Sequence, residues 1–498
     1  MKRLLLFILT ILAILVLTAP PAPAQSADTL RLSLDNAVAM ARVRSVAAAA
    51  SLDELRSAYW QYRTYRAELM PEVTFSATAP AYNKRYTAYQ SADGSYSFVR
   101  DNNIGLSGEL SLSQRIWPTG GTVSLSTSLD FMRQLGAGND NQFMSIPVAI
   151  TLNQPLFGVN DIKWDRRIEP LRYKEARAQF MTDTENVAMQ AITYFFNMLI
   201  ARDDLNNALQ NLNNAHKLYD AAKAKREMGR ISENDLLQIE LTLINAEAAV
   251  SSGESTLKSH TFQLCSFLGI DTSTPVALEN PGRLPDISVN FDRALELALD
   301  NNPFADNLKR RQLEADYDVA KAKGKLREIN IFAQVGYTGT DNNIDRAYTR
   351  LRDNQVVRVG ISVPVLDWGK RRAAVKVAES RRELVENTLR KEALDFNSNL
   401  FVLVERFNNQ REQLRLADRA TEIAQKRYDT NVETFLVGRI STLDLNDSQT
   451  GKDDARRQQL IELFSYWSYY YQLRSITLFD FATGTPVDSD IEAALRIR

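Results

Sequence analysis

The 498-residue chain lacks the residues from which most metal and covalent catalytic sites are built. It contains one cysteine and two histidines. A single cysteine excludes an intramolecular disulfide, and no Cys/His cluster at metal-ligand spacing is present. No nucleophile stands beside a base in the pattern of covalent catalysis. We therefore expect no metal site, no cofactor and no enzymatic activity.

An excess of charge of one sign is also missing. The chain has 60 Lys and Arg against 61 Asp and Glu, which gives a formal net charge of −1. Proteins that bind nucleic acid usually carry a strongly basic patch and a high isoelectric point. The sequence therefore predicts no nucleic-acid partner.

After the N-terminus, no apolar run approaches the ~20 residues of a membrane-spanning helix. The one long apolar run, Leu4 to Leu17, follows Lys2 and Arg3 and precedes the small-residue site Ala22–Pro23–Ala24. This order is typical of a secretory signal peptide, which we predict over residues 1–24. An exported chain without a spanning helix is either soluble or inserts as a β-barrel.

What the sequence does contain is an internal duplication. The run Gly229–Arg230–Ile231–Ser232 recurs as Gly438–Arg439–Ile440–Ser441, which is 438 − 229 = 209 residues later. Tyr219 and Tyr428 keep the same offset. A constant offset over many positions indicates a long structural element that carries no insertions in either copy.

Helical periodicity identifies that element. Apolar and small residues step by three and four, as in Leu205, Ala208, Leu212, Ala215 and Tyr219. This is the seam of a coiled coil, in which small residues let helices approach closely. Each copy is predicted to form a long helix, a tight turn and a returning helix. The first helix, at roughly 70 residues, would measure about 100 Å.

Before each long helix the hydrophobic period changes to two. In one such stretch Val123, Leu125 and Leu129 alternate with Ser124 and Ser128. One apolar and one polar face are typical of membrane strands, and a soluble sandwich is the alternative. The signal peptide and strands of about ten residues favour the membrane. The polar stretches 81–103 and 338–354 are predicted to be loops.

The number of strands in one chain decides whether it could close a β-barrel alone. One chain offers four strands, or six if the hairpin Ile104–Met132 joins them. Because the smallest membrane barrels have about eight strands, several chains must share one barrel. Three chains would supply 3 × 4 = 12 strands, or 3 × 6 = 18 with the hairpin, and the sequence leaves both open.

These patterns together predict an α+β fold, mostly α, with internally duplicated long coiled-coil helices and membrane β-strands. The predicted organisation is a signal peptide over 1–24, a first repeat over 25–270, a linker over 271–290, a second repeat over 291–480 and a tail over 481–498.

Two sets of residues resemble a known family. They are the strand ends Asn153-Gln154-Pro155-Leu156-Phe157-Gly158 and Ser362-Val363-Pro364-Val365-Leu366-Asp367, and the turn from Val437 to Asp447. With the duplicated element order, they resemble the outer-membrane efflux protein (TolC) family over about Leu30 to Asp480. The resemblance implies a homotrimer that forms an α-barrel/β-barrel, in contact with outer-membrane lipid and with its helical part in the periplasm.

The same resemblance implies the function. The chain would be the outer-membrane channel of a tripartite efflux or type I secretion system, with a periplasmic adaptor and an inner-membrane pump as partners. Its cargo is not implied. The alternative from the residues alone is a structural or adhesive coiled-coil envelope protein without a lumen, which would be extracted without detergent and form no trimer in micelles.

Site residues follow from matching this chain to the family. Asp444 and Asp447 match two aspartates that ring the family's periplasmic constriction, and a spacing of three places them on one helix face. Threefold symmetry would gather six carboxylates, which select cations. Asp235, in the first copy, matches an aspartate that helps to latch the closed state. The arginine expected as its partner falls at Ile440. The alternative for Asp444 is helix capping.

The resemblance also implies docking tips and corners. The tips that would meet the adaptor are Gly229, Arg230, Ile231, Ser232, Gly438, Arg439, Ile440 and Ser441. Pro155 and Pro364 would swing each strand into the following helix. The simplest reading of Gly229 and Gly438 is that they are helix C-caps.

Overall fold

The computed structural model describes residues 30–135, 141–326, 329–361, 366–436 and 439–487. The predicted signal peptide, Pro364, Gly438 and the tail beyond residue 487 lie outside these ranges. Two compact units are present. The helical unit comprises the described parts of Met1–Leu52, Met181–Ala298 and Leu400–Ser489, and the sheet unit comprises those of Asp53–Phe180 and Leu299–Asn399. The repeat boundaries predicted from the sequence stay a prediction.

The helices carry the duplication into the structure. They are α1 (Leu34–Arg44), α2 (Val46–Glu68), α3 (Asp161–Glu227), α4 (Glu233–Leu268), α5 (Phe291–Asn301), α6 (Pro303–Gly324), α7 (Ile344–Thr349), α8 (Lys370–Leu436) and α9 (Thr442–Thr477). Both α3 and α8 have 67 residues, and both α4 and α9 have 36. The predicted fold class is confirmed in this respect. Among the described residues, no helix is both long and apolar enough to cross a membrane.

The strands form one large antiparallel sheet and two small ones. They are β1 (Leu30–Leu32), β2 (Glu72–Gln90), β3 (Tyr96–Ile116), β4 (Gly121–Gln134), β5 (Asn141–Leu156), β6 (Val276–Leu278), β7 (Ile329–Asp341), β8 (Leu351–Ile361), β9 (Phe479–Asp480) and β10 (Thr485–Pro486). The large sheet has the order β2-β3-β4-β5-β7-β8. Strand β1 pairs with β6 in parallel, and β9 pairs with β10.

The prediction of loops over residues 81–103 and 338–354 is wrong. Most of residues 81–103 continue β2 and β3, which stay paired up to Gln90 and Tyr96. Most of residues 338–354 belong to β7, α7 and β8. A polar composition does not by itself indicate a loop. Pairing across an antiparallel ribbon satisfies backbone N–H and C=O groups whatever the polarity of the side chains.

The hairpin over residues 104–132 lies inside the large sheet, as part of β3 and β4. Backbone pairing across β2, β3, β4, β5 and β7 aligns Val73, Leu112, Leu125, Ile150 and Val335 in one row. The neighbouring row, on the opposite face, consists of Thr74, Ser111, Ser126, Ala149 and Gly336. The hairpin therefore continues both the apolar and the polar face of the other four strands.

The apolar face of this sheet is open rather than packed. Phe75 is 70% exposed, Ile150 53% and Val335 54%. Large apolar side chains in a soluble sandwich would be buried under a second sheet. Among the described residues no second sheet covers this face, which contradicts a sandwich within one chain, and an exposed apolar surface of this extent is one that membranes or other proteins cover.

Each unit has its own packed core. In the helical unit, Phe195, Phe196 and Leu264 are fully buried among the helices, and β6 in the predicted linker pairs with β1. In the sheet unit, the rings of Phe304 on α6 and Phe396 on α8 stack with centroids 4.3 Å apart. These cores hold the helices that carry the candidate site.

Candidate constriction and docking tips

The first helical hairpin turns at Gly229. Its φ of +66° lies in the left-handed region, and no other atom lies within 4 Å of where a Cβ would be. Glycine is therefore required by the backbone and not by crowding. The N–H of Arg230 donates to the carbonyl of Lys225 at 2.9 Å, which is the closing bond of a Schellman C-cap. The simple reading of Gly229 as a C-cap is confirmed.

The second hairpin repeats this geometry. The N–H of Arg439 donates to the carbonyl of Thr434 at 3.1 Å, and both atoms sit 209 positions after their counterparts. Gly438 lies outside the described residues. In both hairpins the exposed residues of the turn are those predicted to meet an adaptor, and that docking role stays a prediction.

A capping box follows each turn. In α9, the N–H and the Oγ of Ser441 donate to Asp444 Oδ2 at 3.2 and 2.6 Å, and the Asp444 N–H donates back to Ser441 Oγ. Ser232 and Asp235 form the same box at the start of α4. Hydrogen bonds from Ser441 lower the pKa of Asp444, and those from Ser232 lower that of Asp235.

Capping therefore explains why an aspartate stands at both positions. It leaves the carboxylates exposed and ionised, so the constriction role of Asp444 and the latch role of Asp235 stay predictions. Among the described residues, Asp235 has no ion pair with an arginine, and its carboxylate is held by Ser232.

Asp447 is held differently from Asp444. Its Oδ2 accepts a hydrogen bond from Arg427 Nη2 of α8 at 2.5 Å, and both side chains are more than half exposed. The corresponding positions in the first hairpin are Leu218 and Gln238. Only the second hairpin has a cation and a carboxylate at these two positions, whereas the first hairpin pairs Arg226 with Glu233 across its two helices at 3.8 Å.

Arg427 was missed in the sequence. The signal was present, because residues that face each other in an antiparallel hairpin lie at similar distances from its turn. Arg427 precedes Gly438 by 11 residues, and Asp447 follows it by 9. Periodicity along single helices did not test such pairs.

Hydrogen bonds also join the two helical hairpins of one chain. Arg456 of α9 donates to both carboxylate oxygens of Asp203 of α3, at 3.1 and 3.2 Å. Closer to the turns, Asn214 Nδ2 donates to the hydroxyl of the buried Tyr428 at 2.7 Å. These contacts fix the position of the second hairpin against the first.

Several local interactions fix the corner between β5 and α3. Pro155 lies at the end of β5, opposite Asn330 of β7. Phe157 then adopts a φ of +61°. Asn160 caps α3, and its Nδ2 donates to the carbonyl of Trp117 at 2.9 Å. A Cβ on Gly324 would lie 2.8 Å from the backbone N of Val159, so glycine allows α6 to end against this corner.

The corner before α8 is described only from residue 366 onward, so the role of Pro364 is untested. Asp367 accepts hydrogen bonds from the N–H groups of Gly369 and Arg371, at 3.0 and 3.2 Å. Trp368 has a φ of +52° and is 89% exposed. Phe157 and Trp368 are thus large, exposed aromatic side chains that stand shortly before the two long helices.

The sequence model of a family described as "Outer membrane efflux protein" matches residues 120–269 and 294–468, more than half of the chain. The chain belongs to the outer membrane efflux protein family. This confirms the resemblance seen in the sequence. It identifies the chain as an outer-membrane efflux channel, a transport protein, and favours that function over a structural protein without a lumen.

Solved structures agree on the fold of this outer membrane efflux protein. The Campylobacter jejuni CmeC outer membrane channel has a TM-score of 0.66 at 13% identity, over 93% of this chain and 88% of that one. The VceC outer membrane protein of Vibrio cholerae gives 0.62 at 12% identity, over 91% and 97%. The open-state MtrE outer membrane channel of Neisseria gonorrhoeae gives 0.58 at 12%, over 92% and 91%. A comparison with curated proteins gave no match.

Proposed function

We propose that three copies of this chain form an export duct of a tripartite efflux or type I secretion system. The observation that carries the proposal is the large sheet, which has six strands, an exposed apolar face and two edges that pair with no other strand in the described part of the chain. Six strands are fewer than the roughly eight of the smallest membrane barrels. Copies of the chain must therefore share a barrel. In this proposal the large sheet lies in the outer membrane and the long helices α3 and α8 in the periplasm.

The turns of the two hairpins would meet a periplasmic adaptor, which links the duct to an inner-membrane pump. Support comes from their geometry. Both turns are closed by the same C-cap bond and the same capping box, so each presents a rigid, exposed surface. Arg230 and Arg439 add a positive charge to each turn, and both side chains are exposed.

Asp444 and Asp447 would form the constriction. Threefold symmetry brings six carboxylates around one axis, and rings of carboxylates select cations. Arg427 of the same chain neutralises Asp447 in the present conformation. The effective charge of the ring then depends on whether this ion pair is closed or open.

The test is conductance of the purified protein in planar bilayers. We expect a channel whose cation-over-anion permeability falls in Asp447→Asn, because each chain loses one ring carboxylate. Glu412→Gln is the matched control, since it neutralises an exposed carboxylate of α8 that is paired with Arg415. Absence of any conductance in the wild type, or a chain extracted without detergent as a monomer, would refute the duct.

A further inference from the structure

Resting on the trimer proposed above, we infer that β8 of one copy pairs with β2 of the next. The outer-membrane wall then has 3 × 6 = 18 strands, with β3 and β4 as integral members. The partner of both sheet edges is a second copy of this chain.

The strand order makes the edges compatible. Every neighbouring pair in the order β2-β3-β4-β5-β7-β8 is antiparallel. With six strands, the two edge strands run in opposite directions, so β8 meets the β2 of another copy as one more antiparallel pair. Within the described residues, the outer edges of both strands pair with no other strand. In hydrocarbon no water is present to bond the backbone N–H and C=O groups of an open edge, so an open edge is strongly disfavoured there.

The hairpin is locked into this wall by its register. Strands β3 and β4 pair without a shift from Asn103 and Gln134 down to Ile116 and Gly121. Along its other edge, β3 pairs with β2, with one irregularity between Thr78 and Ala81. A wall of four strands per chain would require β2 to leave β3 and pair with β5 instead.

The faces of the hairpin also suit a wall. Leu110 and Leu125 are 46% and 43% exposed on the apolar face. The opposite face of the two strands is rich in serine, namely Ser107, Ser111, Ser113, Ser124, Ser126 and Ser128. An apolar outside and a polar inside are what a water-filled membrane barrel needs. A hairpin outside the wall would gain nothing from this alternation.

The size of the exit follows from the strand count. Strands spaced about 4.8 Å apart and tilted by about 40° each occupy roughly 6.3 Å of circumference. Eighteen strands therefore give a backbone diameter of about 36 Å, and twelve would give about 24 Å. The hairpin makes the outer-membrane exit about 1.5-fold wider, so the exit is too wide to be the selective point of the duct.

Cysteine crosslinking in detergent-solubilised trimers tests the pairing. In a Cys265→Ala background, Val357→Cys on β8 is combined with a cysteine at each of positions 75–81 on β2, because the tilt shifts the register by about seven residues from one chain to the next. Within one chain these strands are five steps apart, about 24 Å, whereas a disulfide requires Cα atoms within about 7 Å. We expect a covalent trimer in at least one register, and 18 strands in images of the particle.

The control set is Thr74→Cys with a cysteine at each of positions 149–154 on β5. The 18-stranded wall keeps these strands about 14 Å apart and predicts no crosslink. A 12-stranded wall makes them neighbours and predicts a crosslink within one chain. A trimer that shows this crosslink and 12 strands would overturn the inference and leave the proposed duct standing. A chain that forms no trimer would overturn both.

Discussion

Glu185 of α3 gives the sharpest test of what holds the helical unit together. Its carboxyl side chain is fully buried and lies within ion-pair distance of two arginines. Arg42 Nη2 of α1 lies 2.5 Å from its Oε1, and Arg474 Nε of α9 lies 3.2 Å from its Oε2. Arg474 also binds Asp480 at 3.0 Å. One carboxylate thus joins three helices through two cations.

The perturbation is Glu185→Gln, which removes the charge and keeps the volume. Removing one member of a buried ion pair typically costs about 3–5 kcal/mol, because the remaining charge has no partner. Arg42 is 30% exposed and can turn to water, and Arg474 keeps Asp480. We therefore expect the lower end of the range, about 3 kcal/mol. For a unit of this size, that lowers Tm by about 6–12 °C.

The assay is thermal unfolding of the full chain in detergent micelles, followed by circular dichroism of the helices. Glu412→Gln is the control, because its ion pair with Arg415 is exposed and exposed pairs contribute little. In a double variant with Arg474→Met, the loss should be smaller than the sum of the single losses, since the two residues interact. Equal Tm shifts for Glu185→Gln and Glu412→Gln would refute the reasoning.

Three further predictions concern the turns and the acid response. Arg427→Ala should raise cation-over-anion permeability in bilayers, because it frees the Asp447 carboxylate; an unchanged ratio would exclude Asp447 from the conduction path. Although burial opposes ionisation of Asp480, hydrogen bonds from Tyr470 and the charge of Arg474 lower its pKa. Its stabilisation is then present above about pH 4 and lost as pH falls through the lowered pKa, so Asp480→Asn should flatten the fall of Tm in acid. Gly229→Ala should lower Tm, since a left-handed residue with a Cβ costs about 1–2 kcal/mol, whereas Gly282→Ala should not.

The two hairpins share their backbone geometry but differ in some of the side chains that join their helices. Helix lengths, C-cap bonds and capping boxes are the same in both. The ion pair between Arg427 and Asp447 has Leu218 and Gln238 in its place in the first hairpin. A sequence repeat therefore predicts the shape of both turns, and the residues that differ between them are the first to test for a role in the channel.

The sequence by itself determined the helical frame of this protein. The offset of 209 residues and the steps of three and four predicted two equal long helices, and α3 and α8 have 67 residues each. The repeated run Gly-Arg-Ile-Ser marked both turns. These features are set by interactions within a few residues, such as helical hydrogen bonds, C-caps and capping boxes, so a linear pattern is enough to find them.

Only the tertiary structure decided which distant residues became neighbours. A period of two assigns each side chain to a face but does not say which strand lies beside which, so the sequence left open whether β3 and β4 joined the sheet. Likewise, Glu185 receives its cations from Arg42 and Arg474, which are 143 and 289 residues away. Such pairings depend on the packing of whole helices and strands, because burial and backbone pairing across the fold are settled only when all elements are in place.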